Sequence, residues 1–86
     1  EVLNQFTTPP RVFILRMHLV PLIDTSGVTA LTQMLHRCQR NGISVIFSGL
    51  CAQPAALLSR MGMCEKPPLL RFAENFEQAL QMAENL

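Results

Sequence analysis

The chain has 86 residues, of which 49% are hydrophobic and 15% charged, and seven Lys and Arg against six Asp and Glu give a net charge of +1. This length allows one small domain, and the hydrophobic fraction is too high for a disordered tail. The balanced charge argues against a nucleic-acid module, and charged residues interrupt the apolar runs well before the roughly 18 residues needed to span a bilayer. We interpret the sequence as one domain, residues 1–86, cut from a longer protein, because it starts at Glu1 without Met or an apolar leader.

Three cysteines, Cys38, Cys51 and Cys64, are too few and odd in number for a disulfide framework. No Cys-x-x-Cys pair occurs, and His18 and His36 have no second ligand at metal spacing. We therefore expect no metal site. We also expect reduced thiols that mostly fill the core, which indicates a cytoplasmic compartment.

The first half of the chain predicts a buried strand followed by a helix. Residues 1–10 are interpreted as the end of a helix plus a linker, and the continuous apolar run 12–15 predicts a strand buried on both faces, as in a parallel sheet. In the connection 17–24 we expect Val20, Leu22 and Ile23 to pack against the core. An apolar stripe then predicts an amphipathic helix over 27–40, ended by Asn41 and Gly42; the stripe is Val28, Leu31, Leu35 and Cys38, with Met34 beside it.

The second half repeats this alternation. Strands are predicted over 43–47 and 69–72, with a short helix between them that has Pro54 in its first turn and ends at Gly62. A last helix begins after Asn75, a predicted N-cap with Gln78 three residues on, and its predicted apolar stripe is Phe76, Leu80 and Ala83. The fold class is therefore α/β, with a small, mostly parallel sheet of three strands and three complete helices.

So narrow a sheet has open edges, and open edges accept strands from other chains. We therefore expect either additional strands from outside these residues or a homo-oligomer.

The segment 21–27, Pro-Leu-Ile-Asp-Thr-Ser-Gly, lies between the first strand and the first long helix. Functional groups collect at this edge of open α/β folds, and a helix N-terminus there attracts anions. We predict partner or anion docking at Asp24, Thr25, Ser26 and Gly27, with Thr25 or Ser26 as the N-cap. Ser48 and Gly49 should rim the same edge. Such residues also make an ordinary helix start, and this alternative stays open.

Ser26 is the candidate acceptor for a phosphorylation switch. A phosphate adds close to two negative charges, which a helix N-terminus tolerates and a nearby Asp24 resists. The surface charge would change while the backbone stays in place, as a switch that controls docking requires.

Enzymatic interpretations find little support. His18, Asp24 and Ser26 include the residue types of a hydrolase triad, but their spacing gives no reason for them to converge, and Gly-x-Ser-x-Gly is absent. A Gly-rich phosphate loop is absent too, so we expect no catalytic site and no cofactor.

Residues 12–17, Val-Phe-Ile-Leu-Arg-Met, and 20–27, Val-Pro-Leu-Ile-Asp-Thr-Ser-Gly, followed by Cys-Gln-Arg-Asn-Gly-Ile-Ser-Val-Ile-Phe-Ser-Gly over 38–49, resemble the STAS domain. Residues 11–86 are similar above all to the cytoplasmic C-terminal STAS domain of SulP-type anion transporters. STAS domains usually begin with a β-hairpin and a complete first helix, and we expect this chain to lack the hairpin and to start at the end of that helix, residues 1–6.

The resemblance implies a non-catalytic regulatory domain on the cytoplasmic face of the inner membrane. Its partners would be the membrane part of its own transporter, whose substrates are sulfate-like anions, or a regulatory protein, and not nucleic acid. Nucleotide binding is a theme of the family, but no motif for it occurs here. The alternative is an anti-sigma factor antagonist, a branch phosphorylated on the serine that matches Ser26.

Overall fold

A computed structural model describes residues 11–84, and it has three strands and three helices in alternation. The predicted α/β class is confirmed. The expectations for residues 1–10 and for a missing hairpin lie outside the described residues. The elements are β1 (Val12–Arg16), α1 (Thr25–Arg40), β2 (Ser44–Ser48), α2 (Ala52–Arg60), β3 (Leu70–Ala73) and α3 (Phe76–Glu84).

The strands form a parallel sheet in the order β1-β2-β3. In the central strand, Val45, Ile46 and Phe47 are 0% exposed, because β2 has a strand on each side and helices on both faces. This explains why its sequence is a continuous apolar run rather than an alternating one. Within residues 11–84, β1 and β3 are the two edges, so the expected strand addition or self-association stays a prediction.

Alternate residues of β2 divide the core into two layers. Val45 and Phe47 lie in the larger cluster with residues of α1 and α2, such as Leu35 and Leu58. Ile46 points to the other face, where it packs with Ala79 of α3. In the larger layer the rings of Phe47 and Phe72 stack with centroids 5.8 Å apart, which ties β2 to β3.

The predicted strand boundaries are shifted by one residue. Ile43 is buried as expected, but its N–H binds the carbonyl of Cys38 at the end of α1, at 2.8 Å, so β2 begins at Ser44. Leu69 is exposed and donates to the carbonyl of Lys66 in a turn, at 2.7 Å, and β3 begins at Leu70. In both cases the backbone N–H donates to a local carbonyl, at a helix end or in a turn, instead of to a neighbouring strand.

The last helix begins as predicted, and its predicted apolar stripe is right in part, because Phe76 is half-buried and Ala83 packs against the smaller core cluster. Asn75 Oδ1 accepts a hydrogen bond from the N–H of Gln78 at 2.7 Å, which confirms the cap. The predicted stripe is wrong at Leu80, which is 41% exposed, whereas Ala79 is fully buried. A small residue facing the sheet lets the helix axis come close to the strands, and the larger Leu80 is turned outward.

The three cysteines are free, but they differ in environment. Cys38 lies in the core, where burial raises the pKa of its thiol even though Arg37 acts in the opposite direction. Cys51 is half-buried and Cys64 is exposed. The prediction that the thiols mostly fill the core is therefore right for Cys38 and wrong for Cys64.

We expect iodoacetamide at neutral pH to alkylate Cys64 fast and Cys38 only when the chain unfolds, because the thiolate is the nucleophile and Cys38 is both shielded and held protonated. Peptide mass spectrometry over a time course measures each rate. Cys64→Ser should remove the fast phase. Alkylation of Cys38 at the rate of Cys64 in the folded chain would contradict this assignment.

Candidate functional site

The polar segment predicted as the site joins the β1–α1 loop to the first turn of α1. Asp24 is the N-cap of α1: its Oδ1 accepts from the N–H of Gly27 at 2.9 Å, and its carbonyl accepts from Val28 at 3.1 Å. The predictions that α1 begins at Gly27 and that Thr25 or Ser26 caps it are therefore wrong. Asp caps as well as Ser does, and its negative charge also suits the positive end of the helix dipole.

The side chains of Asp24, Thr25 and Ser26 are exposed, and Gly27 is half-buried. Ser26 is the second residue of α1, so its hydroxyl projects from the first turn rather than from the middle of the helix. This placement agrees with a segment that other molecules can reach. Whether they do so stays a prediction.

Glycine at position 27 is required by close approach. A Cβ there would lie 2.6 Å from Cγ1 of Ile23, which folds back over the first turn of the helix. Ile23 is half-buried and packs against the larger core cluster. The predicted core contact of Ile23 is thus confirmed, and it depends on the missing side chain of Gly27.

A residue that the sequence analysis missed fixes this loop. Gln53, in the first turn of α2, accepts from the N–H of Ile23 with Oε1 at 2.8 Å and donates from Nε2 to the carbonyl of Ile23 at 3.0 Å. The side-chain amide therefore pairs with the loop backbone as a neighbouring strand would. Thirty positions separate the two residues, so no local pattern could have indicated the contact.

Ser48 and Gly49 lie at the same edge, as predicted, but Ser48 is buried and Gly49 is half-buried. Ser48 is 2% exposed, because β1 and β3 flank it and its carbonyl accepts from Met17 at 2.8 Å. Gly49 has φ +71°, and a Cβ there would lie 2.9 Å from Cβ of His18. The side chain of Ser48 is unavailable for docking, and Gly49 serves the close packing of the β1–α1 loop.

The same loop exposes two leucines. Leu19 is 79% exposed and Leu22 is 74% exposed, although Leu22 was expected to pack against the core. Val20 and Ile23 do pack there, as predicted, whereas Leu22, which lies between them, and Leu19, which precedes Val20, face the solvent. Leu19, Leu22, Asp24, Thr25 and Ser26 form what we call the corner surface.

A family model described as the STAS domain matches residues 1–79 of the chain. The chain belongs to the STAS domain family. The resemblance noted in the sequence is therefore confirmed.

A crystal structure of a sulfate transporter family protein from Wolinella succinogenes is similar to this STAS domain. The two are 31% identical, with a TM-score of 0.82, over 98% of this chain and 69% of that chain. The match supports both the fold and the transporter branch of the family. No curated protein matches the chain.

Some polar groups in and near the corner surface already have partners within the domain. Within residues 11–84, no three His, Cys, Asp or Glu side chains are grouped so that they could hold a metal ion. Over the same range, none of the helices is long and apolar enough to cross a membrane. The Asp24 carboxylate is occupied as a helix cap, and the carbonyl of His18 accepts from the thiol of Cys51 at 3.7 Å. The corner surface thus offers two apolar side chains, one carboxylate and two hydroxyls to a partner.

Proposed function

We propose that this STAS domain is the non-catalytic regulatory and protein-binding domain of a SulP-type anion transporter, held at the cytoplasmic face of the membrane. The observation that carries the proposal is the 31% identity, over 98% of this chain, to a sulfate transporter family protein. That match also favours the transporter over an anti-sigma factor antagonist. The proposal requires no cofactor.

The corner surface is the docking site in this proposal. Exposed leucines on a loop that is fixed at both sides lose little conformational entropy on binding, which favours them as anchors. Asp24 and the hydroxyls of Thr25 and Ser26 would pair with donors around an apolar pocket on the partner. The partner is the membrane part of the transporter or a separate regulatory protein.

Charge at Ser26 is the proposed means of control. A phosphate there would place close to two negative charges beside Asp24, on the part of the corner surface where hydrogen-bond donors of the partner would bind. Because Ser26 is exposed and the loop is held by Gln53, the fold has no need to change. The modification would act on docking alone.

The test is uptake of labelled sulfate by the intact transporter that carries this domain, with Leu22→Asp and Ser26→Asp compared with the wild type. We expect Leu22→Asp to weaken docking at least about tenfold, as loss of an anchor residue does, and to change uptake accordingly. Titration of the purified chain with the detergent-solubilised membrane part tells the two partner classes apart: weaker binding of Leu22→Asp than of the wild type assigns the corner surface to the membrane part, and equal binding assigns it to a separate regulatory protein.

Leu80→Asp is the matched control, because Leu80 is also an exposed leucine but lies on α3. Melting curves of the purified variants exclude unfolding as the cause. Unchanged uptake in Leu22→Asp and Ser26→Asp would overturn the role of the corner surface. A gene that encodes no membrane-spanning segments upstream of Glu1 would overturn the transporter assignment itself.

A further inference from the structure

Among residues 11–84, the exposed charged side chains are segregated between the two ends of the sheet, whereas Arg71 is half-buried within β3. Exposed cations lie in the last turns of α1 and α2 and in the segments that precede β1 and β3, all of which places them at the amino ends of the strands. We call these residues the basic edge: Arg11, Arg37, Arg40, Arg60 and Lys66. Two acidic residues, Glu65 and Glu84, accompany them, and Glu65 turns its carboxylate to the N–H of Phe72 at 3.0 Å.

The opposite edge has the opposite sign. Asp24 precedes α1, while Glu74 and Glu77 lie at the start of α3, and Arg16 is engaged 4.4 Å above the ring of Phe76. A five-residue strand spans about 16 Å, whereas ionic screening in the cell has a length of about 8 Å. The two edges therefore act on their surroundings as separate surfaces, despite the small net charge of the chain.

The basic edge also carries exposed apolar side chains. Met61 and Leu69 are exposed in the segment that joins α2 to β3. Beside them lies a shallow depression of about 170 Å³, lined by residues that include His36, Gln39 and Lys66. This depression and two others beside Arg40 are open to the solvent, so the edge presents a surface rather than an enclosed binding cavity.

We propose that the basic edge lies against the anionic headgroups of the bilayer. Lys and Arg near such a surface are attracted to it, and exposed apolar side chains among them enter the interface. The cations come from four separate segments spread along the edge, which suits a plane of headgroups better than a narrow acidic peptide. The inference rests on the proposed function in one respect, that a transporter domain is held beside a membrane.

This orientation determines what the corner surface can reach. The corner lies at the carboxyl ends of the strands, at the end of the sheet opposite the basic edge. With the basic edge on the bilayer, the corner faces away from the membrane. Of the two partner classes, a separate regulatory protein is then the one that docks there.

The experiment is co-sedimentation of the purified 86-residue chain with vesicles of phosphatidylcholine alone or mixed with phosphatidylglycerol. We expect binding to the mixed vesicles only, weakening as salt is added. Each cation near an anionic surface changes partitioning about fivefold, so Arg37→Gln combined with Arg40→Gln should weaken binding about 30-fold. Met61→Ser should lower the fraction that resists salt.

The matched control is Glu74→Gln combined with Glu77→Gln at the opposite edge. It changes the net charge by the same amount with the other sign, so attraction by net charge alone predicts tighter binding, whereas a local basic edge predicts no change. Melting curves confirm that all variants fold. Equal binding to both vesicle types, or an arginine double variant that binds as the wild type does, would overturn the proposal.

Binding to soluble polyglutamate tests the remaining alternative, which is that the basic edge binds an acidic protein instead of a bilayer. Binding to polyglutamate without binding to phosphatidylglycerol vesicles would overturn the bilayer proposal and assign the edge to an acidic protein. Absence of vesicle binding together with a loss of sulfate uptake regulation in Leu22→Asp would overturn this inference and leave the proposed function intact.

Discussion

Replacing Leu35 by Ala is expected to lower the free energy of unfolding by about 2–5 kcal/mol. Leu35 lies on the buried face of α1, in the larger core cluster, and its truncation leaves a cavity that the surrounding side chains refill only in part. Small domains have little stability in reserve. We expect the variant to be largely unfolded at physiological temperature, measured by urea denaturation followed by circular dichroism.

Two other leucines calibrate this result. Leu31 is half-buried against the same cluster, so Leu31→Ala should cost less than Leu35→Ala. Leu22 is 74% exposed, and Leu22→Ala should change the free energy of unfolding by no more than about 0.5 kcal/mol. If Leu22→Ala destabilised the domain as much as Leu35→Ala, the assignment of the buried face would be wrong.

The second large effect is expected at Gln53. Gln53→Ala removes both hydrogen bonds to the backbone of Ile23 and leaves a half-buried N–H and carbonyl without their partner, at a cost of about 1–3 kcal/mol. The loop that carries Leu22 and Asp24 then loses its link to α2. Hydrogen exchange followed by NMR should show the amide of Ile23 becoming fast while those of β2 remain slow.

Gln53→Glu tests the geometry of this contact. The carboxylate can still accept from the N–H of Ile23 but has no donor for its carbonyl, so we expect partial destabilisation. Gln81→Ala, at an exposed position on α3, is the control and should leave exchange at Ile23 unchanged. Slow exchange at Ile23 in Gln53→Ala would show that the two hydrogen bonds from Gln53 do not hold the loop in place.

Elements whose pattern reflects burial were predictable from sequence. The continuous apolar run predicts β2 because a strand buried on both faces has apolar residues at every position. The apolar stripe predicts α1 because a helix buried on one face has apolar residues at intervals of three or four. The cap at Asn75 was predictable for a different reason, since the donor and acceptor are three residues apart. Local and periodic information was sufficient in each case.

What escaped prediction depends on contacts between distant segments. Whether Leu22 or Ile23 faces the core is decided by Gln53 and Gly27, which hold Ile23 inward. Ser48 is buried because strands lie on both sides of it. The order of the strands in the sheet cannot be deduced from a short segment of sequence. The choice of Asp24 over Ser26 as the cap is a contest between residues of similar propensity.

Among the described residues, 11–84, one face of the sheet is covered by a single helix. Within residues 11–84, α3 is the helix that packs with Ile46 and Ala73 on the second face, and it is nine residues long. A short helix has little tendency to persist on its own in water. Detachment of α3 would therefore expose the apolar side chains of this face, such as Ile46 and Ala73. Any change that destabilises α3, for example proteolysis within it, is then expected to promote aggregation of the domain.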